Sequence, residues 1–186
     1  MQKILRGNDL IKAYIDTSVI SRLSDPLKGN PIAISEDEAA AILTICGSEI
    51  ELVTSLKMLE EVLRSTDVRQ RALLALVATL STKVPSQNLM HSTSGAWGTT
   101  AFGAAPFGGG GVTVDPLLVQ LRRIFDSGDA EHVFQAVKND CTYFLTLDKS
   151  TIIERAKHNR TELDRLCPNM KFVSPTELEQ LIIEST

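Results

Sequence analysis

No stretch of this chain approaches the run of about 18 apolar residues needed to cross a bilayer. The N-terminal MQKILRGNDLIKAYID has neither the apolar core nor the small-residue cleavage site of a signal peptide. A cytoplasmic protein without membrane contact is expected. A basic excess is missing as well: 19 Lys and Arg face 23 Asp and Glu, for a net charge of −4, so no global field draws nucleic acid to the surface. Any phosphate contact must be local. Cys46, Cys141 and Cys167 form no C-x-x-C pair and have no matching histidine cluster, which argues against zinc and for buried or incidental thiols. Gly108 to Gly111 are not followed by the lysine and hydroxyl residue of a P-loop, which argues against nucleoside triphosphate binding. His91, His132 and His158 lack partners at metal-ligand or nucleophile-base spacing. Only His132, one helical turn beyond Asp129, could approach an acidic residue.

What is present suits one globular domain. The chain has 186 residues, enough to bury a single core, with 43% hydrophobic and 23% charged residues. Ala13 to Ile15 read as a strand running into Asp16 and Thr17, with a helix following over Val19, Ile20 and Leu23. Ser35 three residues before Glu38 is a capping-box signature for a helix reaching about Cys46 and Gly47. Glu51 to Thr54 form the next β-prone run, Ser55 a helix cap, and Leu56, Leu59 and Leu63 the apolar side of that helix. Asp67 can cap a buried Ala-Leu-rich helix over 72–80.

Seven of the 11 glycines fall between Gly95 and Gly111, so about 92–115 is expected to be a flexible loop within a single domain spanning 1–186. Trp97, Phe102 and Phe107 interleave with those glycines and could stack on bases or dock a partner, although a plain loop explains them too. Leu117 to Ile124 and a segment opened by Asp129 read as helices, and Tyr143 to Leu147 as a strand closed by Asp148. A charged helix over 151–166, a strand from Lys171 to Ser174 and a helix from Pro175 complete the chain. Strands alternating with helices predict an α/β domain with a mostly parallel central sheet.

In such sheets the working crevice lies beyond the carboxyl ends of the strands, where Asp16 and Asp148 are expected. Asp129 and Glu61 can face the same edge from neighbouring helices. Taken singly, each acid reads as a turn or cap residue. Four carboxylates together would repel one another unless a cation offset their charge. An all-oxygen set favours Mg²⁺ or Mn²⁺ over zinc. Lys12, Arg22, Lys57, Arg64 and Lys149 flank the acidic blocks and could grip phosphates, or simply be solvated.

YIDTSVISRL at 14–23, TSLKMLEEVLR at 54–64, DAEHVFQAVKNDCTYFLTLDK at 129–149 and the closing VSPTELEQL resemble, in order and spacing, the PIN-domain family. That resemblance implies a three-layer α/β/α sandwich and a Mg²⁺- or Mn²⁺-dependent ribonuclease leaving 5′-phosphates. Some members are toxins of VapC-type toxin-antitoxin pairs. It assigns Asp16, Glu61, Asp129 and Asp148 as catalytic, metal-holding acids and Ser18 and Thr146 as supporting hydroxyls. Glu60 competes with Glu61, but Glu61 has the family's distance from Ser55. The implied partners are an RNA substrate, an antitoxin protein and a second copy in a homodimer. The Gly-rich loop and the acidic balance depart from the small toxin members. Two other readings stay open: a catalytically silent PIN-like module that binds RNA or protein, and a receiver-type regulator phosphorylated on Asp16, which the D-T-S turn and T-x-D strand fit less well.

Overall fold

A computed structural model describes residues 11–23, 34–55, 58, 82–84, 90–92 and 112–185. Within them the strands are β1 (Lys12–Ile15), β2 (Glu51–Ser55), β3 (Thr82–Val84), β4 (Met90–Ser92), β5 (Val112–Val114), β6 (Tyr143–Leu145) and β7 (Lys171–Val173). The helices are α1 (Thr17–Leu23), α2 (Glu36–Cys46), α3 (Pro116–Ile124), α4 (Ser127–Lys138), α5 (Glu154–His158), α6 (Arg160–Leu166) and α7 (Pro175–Ser185). A π-helical turn spans Lys149–Ile153.

Five strands pair in the order β3-β2-β1-β6-β7, every pair parallel. The alternation of β1 decides the layers. Tyr14 joins Val53 and Phe144 in a core that α3 to α6 cover. Ala13 and Ile15 join Tyr143, Leu145 and Val173 in a second core beneath α1, α2 and α7. Helices therefore cover both faces of a parallel sheet, as the alternation of elements predicts. Full burial of a side chain such as Phe144, Leu118 or Leu178 contributes about 1.5–3 kcal/mol, so the two cores dominate stability.

Local chemistry sets the helix ends. Glu38 N–H donates to Ser35 Oγ at 3.2 Å and Ser35 N–H to Glu38 Oε2 at 3.1 Å, the capping box read from the sequence. Ser174 and Glu177 make a second box at the start of α7, with Ser174 N–H donating to Glu177 Oε2 at 2.8 Å. The single helix expected over 151–166 is instead a π-helical turn and two short helices. The break falls at Asn159, whose backbone N–H and side-chain amide both donate to the Arg155 carbonyl, at 3.0 and 2.8 Å, and close the turn there.

The ends of the expected loop, β4 and β5, pair antiparallel, with Met90 opposite Val114 and Ser92 opposite Val112. Residues 112–114 are thus strand, and 93–111 lie outside the described residues. The helix expected over 72–80 lies outside them too. No described helix is long and apolar enough to cross a membrane.

Candidate functional site

β1 and β6 are neighbours, so both of their carboxyl ends reach one sheet edge. Asp16, directly after β1, is 5% exposed, and its N–H donates to the Leu145 carbonyl at 3.0 Å. Three donors converge on one of its oxygens, Oδ2: Ser18 N–H at 3.3 Å, the Ser18 hydroxyl, and Thr146 Oγ1 at 2.8 Å. Each hydroxyl in turn accepts a backbone amide from the turn after β6. Leu147 N–H donates to Ser18 Oγ at 3.1 Å, and Asp148 N–H to Thr146 Oγ1 at 3.0 Å. Two amide-hydroxyl-carboxylate chains therefore tie the end of β6 to Asp16. No donor among the described residues reaches Asp16 Oδ1.

Asp148 caps the π-helical turn: Thr151 N–H donates to its Oδ1 at 2.9 Å and Ser150 Oγ at 3.3 Å. Burial works against its charge, but the donors of Thr151 and Ser150 and the positive charge of Arg22 outweigh it and hold the carboxyl below its ordinary range. Thr151 also joins this acid to the next, its hydroxyl donating to Asp129 Oδ2 at 3.3 Å. Asp129 does not cap α4. It stands in the first turn, while Asp126 is the N-cap residue and turns its carboxylate to Arg155 Nη1 at 2.8 Å. Burial first, then the charges of Asp16, Asp148 and Asp126, raise the Asp129 carboxyl above its ordinary value against the Thr151 hydrogen bond.

Asp16, Ser18, Asp129, Thr146 and Asp148 thus form one hydrogen-bonded neighbourhood. Each aspartate is gripped through one oxygen, and the other oxygen meets no hydrogen-bond donor among the described residues. Glu61 and its competitor Glu60 lie outside the described residues. Among those described, no three Asp, Glu, His or Cys side chains stand close enough to share one ion. Thr151 is the residue of this neighbourhood that sequence reasoning missed. Its signal was its position three residues after Asp148, the spacing of a cap and the amide it receives.

The surrounding cations are partly committed. Lys149 pairs with Glu38 at 3.0 Å and Arg155 with Asp126 at 2.8 Å, while Arg22 contributes positive charge beside Asp148. Lys57 and Arg64 lie outside the described residues. Lys12 is far from the acids, in a broad groove of about 1020 Å³ at the opposite, amino-terminal edge of the sheet, together with Asp140, Cys141 and Lys171. Cys141 and Cys167 are free and buried, and burial pushes their thiols up to about 12 and about 11, so they act as apolar core groups. His132 is also buried, with Nδ1 against the Tyr14 hydroxyl at 2.9 Å, and His158 is exposed and bonded to the Glu154 carbonyl.

No protein-family model matches the chain, and a search of curated proteins finds no relative.

Proposed function

We propose that the chain is a PIN-type nuclease that hydrolyses RNA phosphodiester bonds with Mg²⁺ or Mn²⁺. One observation carries this reading. Three aspartates at the carboxyl edge of a parallel sheet are each fixed through one oxygen by hydroxyl or amide donors, and among the described residues no donor reaches the second oxygen of any of them. The donor set is all oxygen, which suits a hard divalent cation. Burial first, and then the negative charges of Asp16, Asp148 and Asp126, raise the proton affinity of Asp129, as expected where carboxylates gather. Asp16, Asp129 and Asp148 would hold the ion in part through its bound waters, since no three of the described side chains stand close enough to ligate it together, with Glu61 as the fourth acid that the resemblance supplies.

When bound, such an ion stabilises charge developing on phosphate oxygens and makes a water more acidic. The chain's own residues contribute orientation. Ser18 and Thr146 hold the Asp16 carboxylate in a fixed rotation, and Thr151 sets Asp148 and Asp129 relative to each other. Asp129 Oδ1, on the carboxylate with raised proton affinity, is suited to take a proton from an attacking water. Arg22 can meet a substrate phosphate as a point of positive charge. The resemblance extends the proposal to an antitoxin partner covering this edge and to a homodimer.

The test is cleavage of labelled single-stranded RNA with and without Mn²⁺. Wild-type protein should show metal-stimulated cleavage ending in 5′-phosphates, and Asp16→Asn or Asp148→Asn should abolish it while folding normally. Full activity in either variant would sink the assignment. The second reading, a silent PIN-like module that binds RNA or protein, is favoured by the lack, among the described residues, of three donor side chains within reach of one ion. A wild-type protein that binds RNA but neither binds Mn²⁺ nor cuts would establish it.

A further inference from the structure

A second polar cluster lies beneath the acidic edge, inside the core. Tyr14 in β1, Ser55 at the end of β2 and His132 in α4 are 0%, 0% and 4% exposed. The Tyr14 hydroxyl is 2.7 Å from Ser55 Oγ and 2.9 Å from His132 Nδ1, and Met58 N–H reaches Ser55 Oγ at 3.4 Å. Met58 N–H donates to Ser55 Oγ, and the Ser55 hydroxyl, the Tyr14 hydroxyl and His132 Nδ1 follow it in one hydrogen-bonded series. Chains of this kind polarise their members and strengthen each bond. A core this apolar could have used Phe and Leu at Tyr14 and His132, since burying polar groups brings no net stability over apolar packing.

The place of the cluster gives the reason for it. Tyr14 lies two residues before Asp16, so the strand alternation points both toward the α4 side of the sheet. His132 lies three residues after Asp129, on the same face of α4. The Tyr14–His132 bond therefore joins the two elements that carry Asp16 and Asp129 about one residue pair below those acids, whose like charges push apart. We propose that Tyr14 and His132, buttressed by Ser55, are positioning residues: a buried brace that holds Asp129 against Asp16 before any cation arrives. This inference rests on the metal-site reading above for its functional meaning, but the brace itself is a statement about where two carboxylates stand.

Tyr14→Phe and His132→Gln remove the bond, and Tyr14→Phe keeps the ring stacked on Phe144 at 5.5 Å. His132→Asn places an amide, able to donate or accept, where Nδ1 was and serves as the conservative rescue. Crystal structures of the metal-free proteins give the Asp16–Asp129 separation, and Mn²⁺ titration followed by electron paramagnetic resonance gives the dissociation constant. Tyr14→Phe and His132→Gln should widen the separation and weaken Mn²⁺ binding by about tenfold or more, the range for loss of an outer support. His132→Asn should restore both, and the Tyr14→Phe, His132→Gln double variant should lose no more than either single one. Should Tyr14→Phe not fold, His132→Gln carries the same comparison. Unchanged separation in the folded variants overturns the brace, whatever the wild type does with Mn²⁺. A wild type that ignores Mn²⁺ while its variants lose the separation keeps the brace and removes the metal reading.

Discussion

Asp129 and Asp148 touch the same threonine, yet their surroundings push their carboxyls in opposite directions, and stability against pH should separate them. For Asp129, burial and the charges of Asp16 and Asp148 raise the folded-state value. The folded form then binds more protons than the unfolded one between the two values, so stability falls as pH rises through the folded value. Asp129→Asn should therefore stabilise the metal-free protein at neutral pH, by under about 1 kcal/mol for a partly exposed charge, with the gain vanishing below the ordinary aspartate range. For Asp148, the donors of Thr151 and Ser150 lower the folded value despite burial. Its stabilisation is present above the unfolded value and lost as pH falls through the folded one, so Asp148→Asn should destabilise at neutral pH and be nearly neutral in acid. Urea denaturation from pH 3 to 8 measures both, and slopes of the same sign would contradict the electrostatics described. At this scale the sequence marked Asp16 and Asp148 by their places at strand ends, and Ser18 and Thr146 only through the family resemblance. Thr151 stands at cap spacing from Asp148, but that its hydroxyl also reaches Asp129 is a matter of distance that no sequence spacing shows.

The elements were legible where their chemistry is local. The Ser35–Glu38 box, Pro175 at the first position of α7, and the strand over Tyr143–Leu145 each depend on residues within one turn or one strand. Asn159 and Asp129 show where that ends. The charged run over 151–166 keeps helical spacing straight through Asn159, and the break falls where that side chain takes the Arg155 carbonyl. Asp129 was read as opening a helix, but Asp126 is three residues nearer the start and turns to Arg155. Thr54 in β2 exposes another limit of local reading. Its hydroxyl is fully buried and finds no hydrogen-bond partner among the described residues, although threonine in a strand gives no such warning from sequence. Leaving a hydroxyl unsatisfied in the interior costs about 1–3 kcal/mol. Thr54→Val has nearly the same shape without that cost, so it should raise stability by about 1 kcal/mol, read as an increase in Tm of about 2–4 °C. A fall in Tm would mean that the hydroxyl is satisfied in solution.

The alternation of strands and helices made the parallel sheet legible, but not the order β3-β2-β1-β6-β7, which depends on pairings across more than a hundred residues. That order is what makes the site. By placing β1 beside β6 it brings Asp16 to Thr146 across 130 positions of sequence, and the hydroxyl chains then fix the carboxylate. A molecule that spends burial on gathering negative charge at one edge should be stabilised by whatever neutralises it. A ligand that binds only the folded state at one hundred times its dissociation constant adds about 2.7 kcal/mol. For a chain of this size that corresponds to a rise in Tm of about 5–11 °C. Mn²⁺ or Mg²⁺ in excess should therefore raise the Tm in a concentration-dependent way. The effect should shrink as pH falls, because protons compete with the ion for Asp129, whose proton affinity is already raised. Asp16→Asn should remove most of the shift, while Asp140→Asn, at the opposite edge of the sheet, should leave it intact and so control for nonspecific ion effects. Scanning calorimetry across a metal titration at pH 5 and pH 7.5 decides the matter. A Tm that ignores both ions at pH 7.5 would leave the acidic edge without a cation and the nuclease reading without its centre.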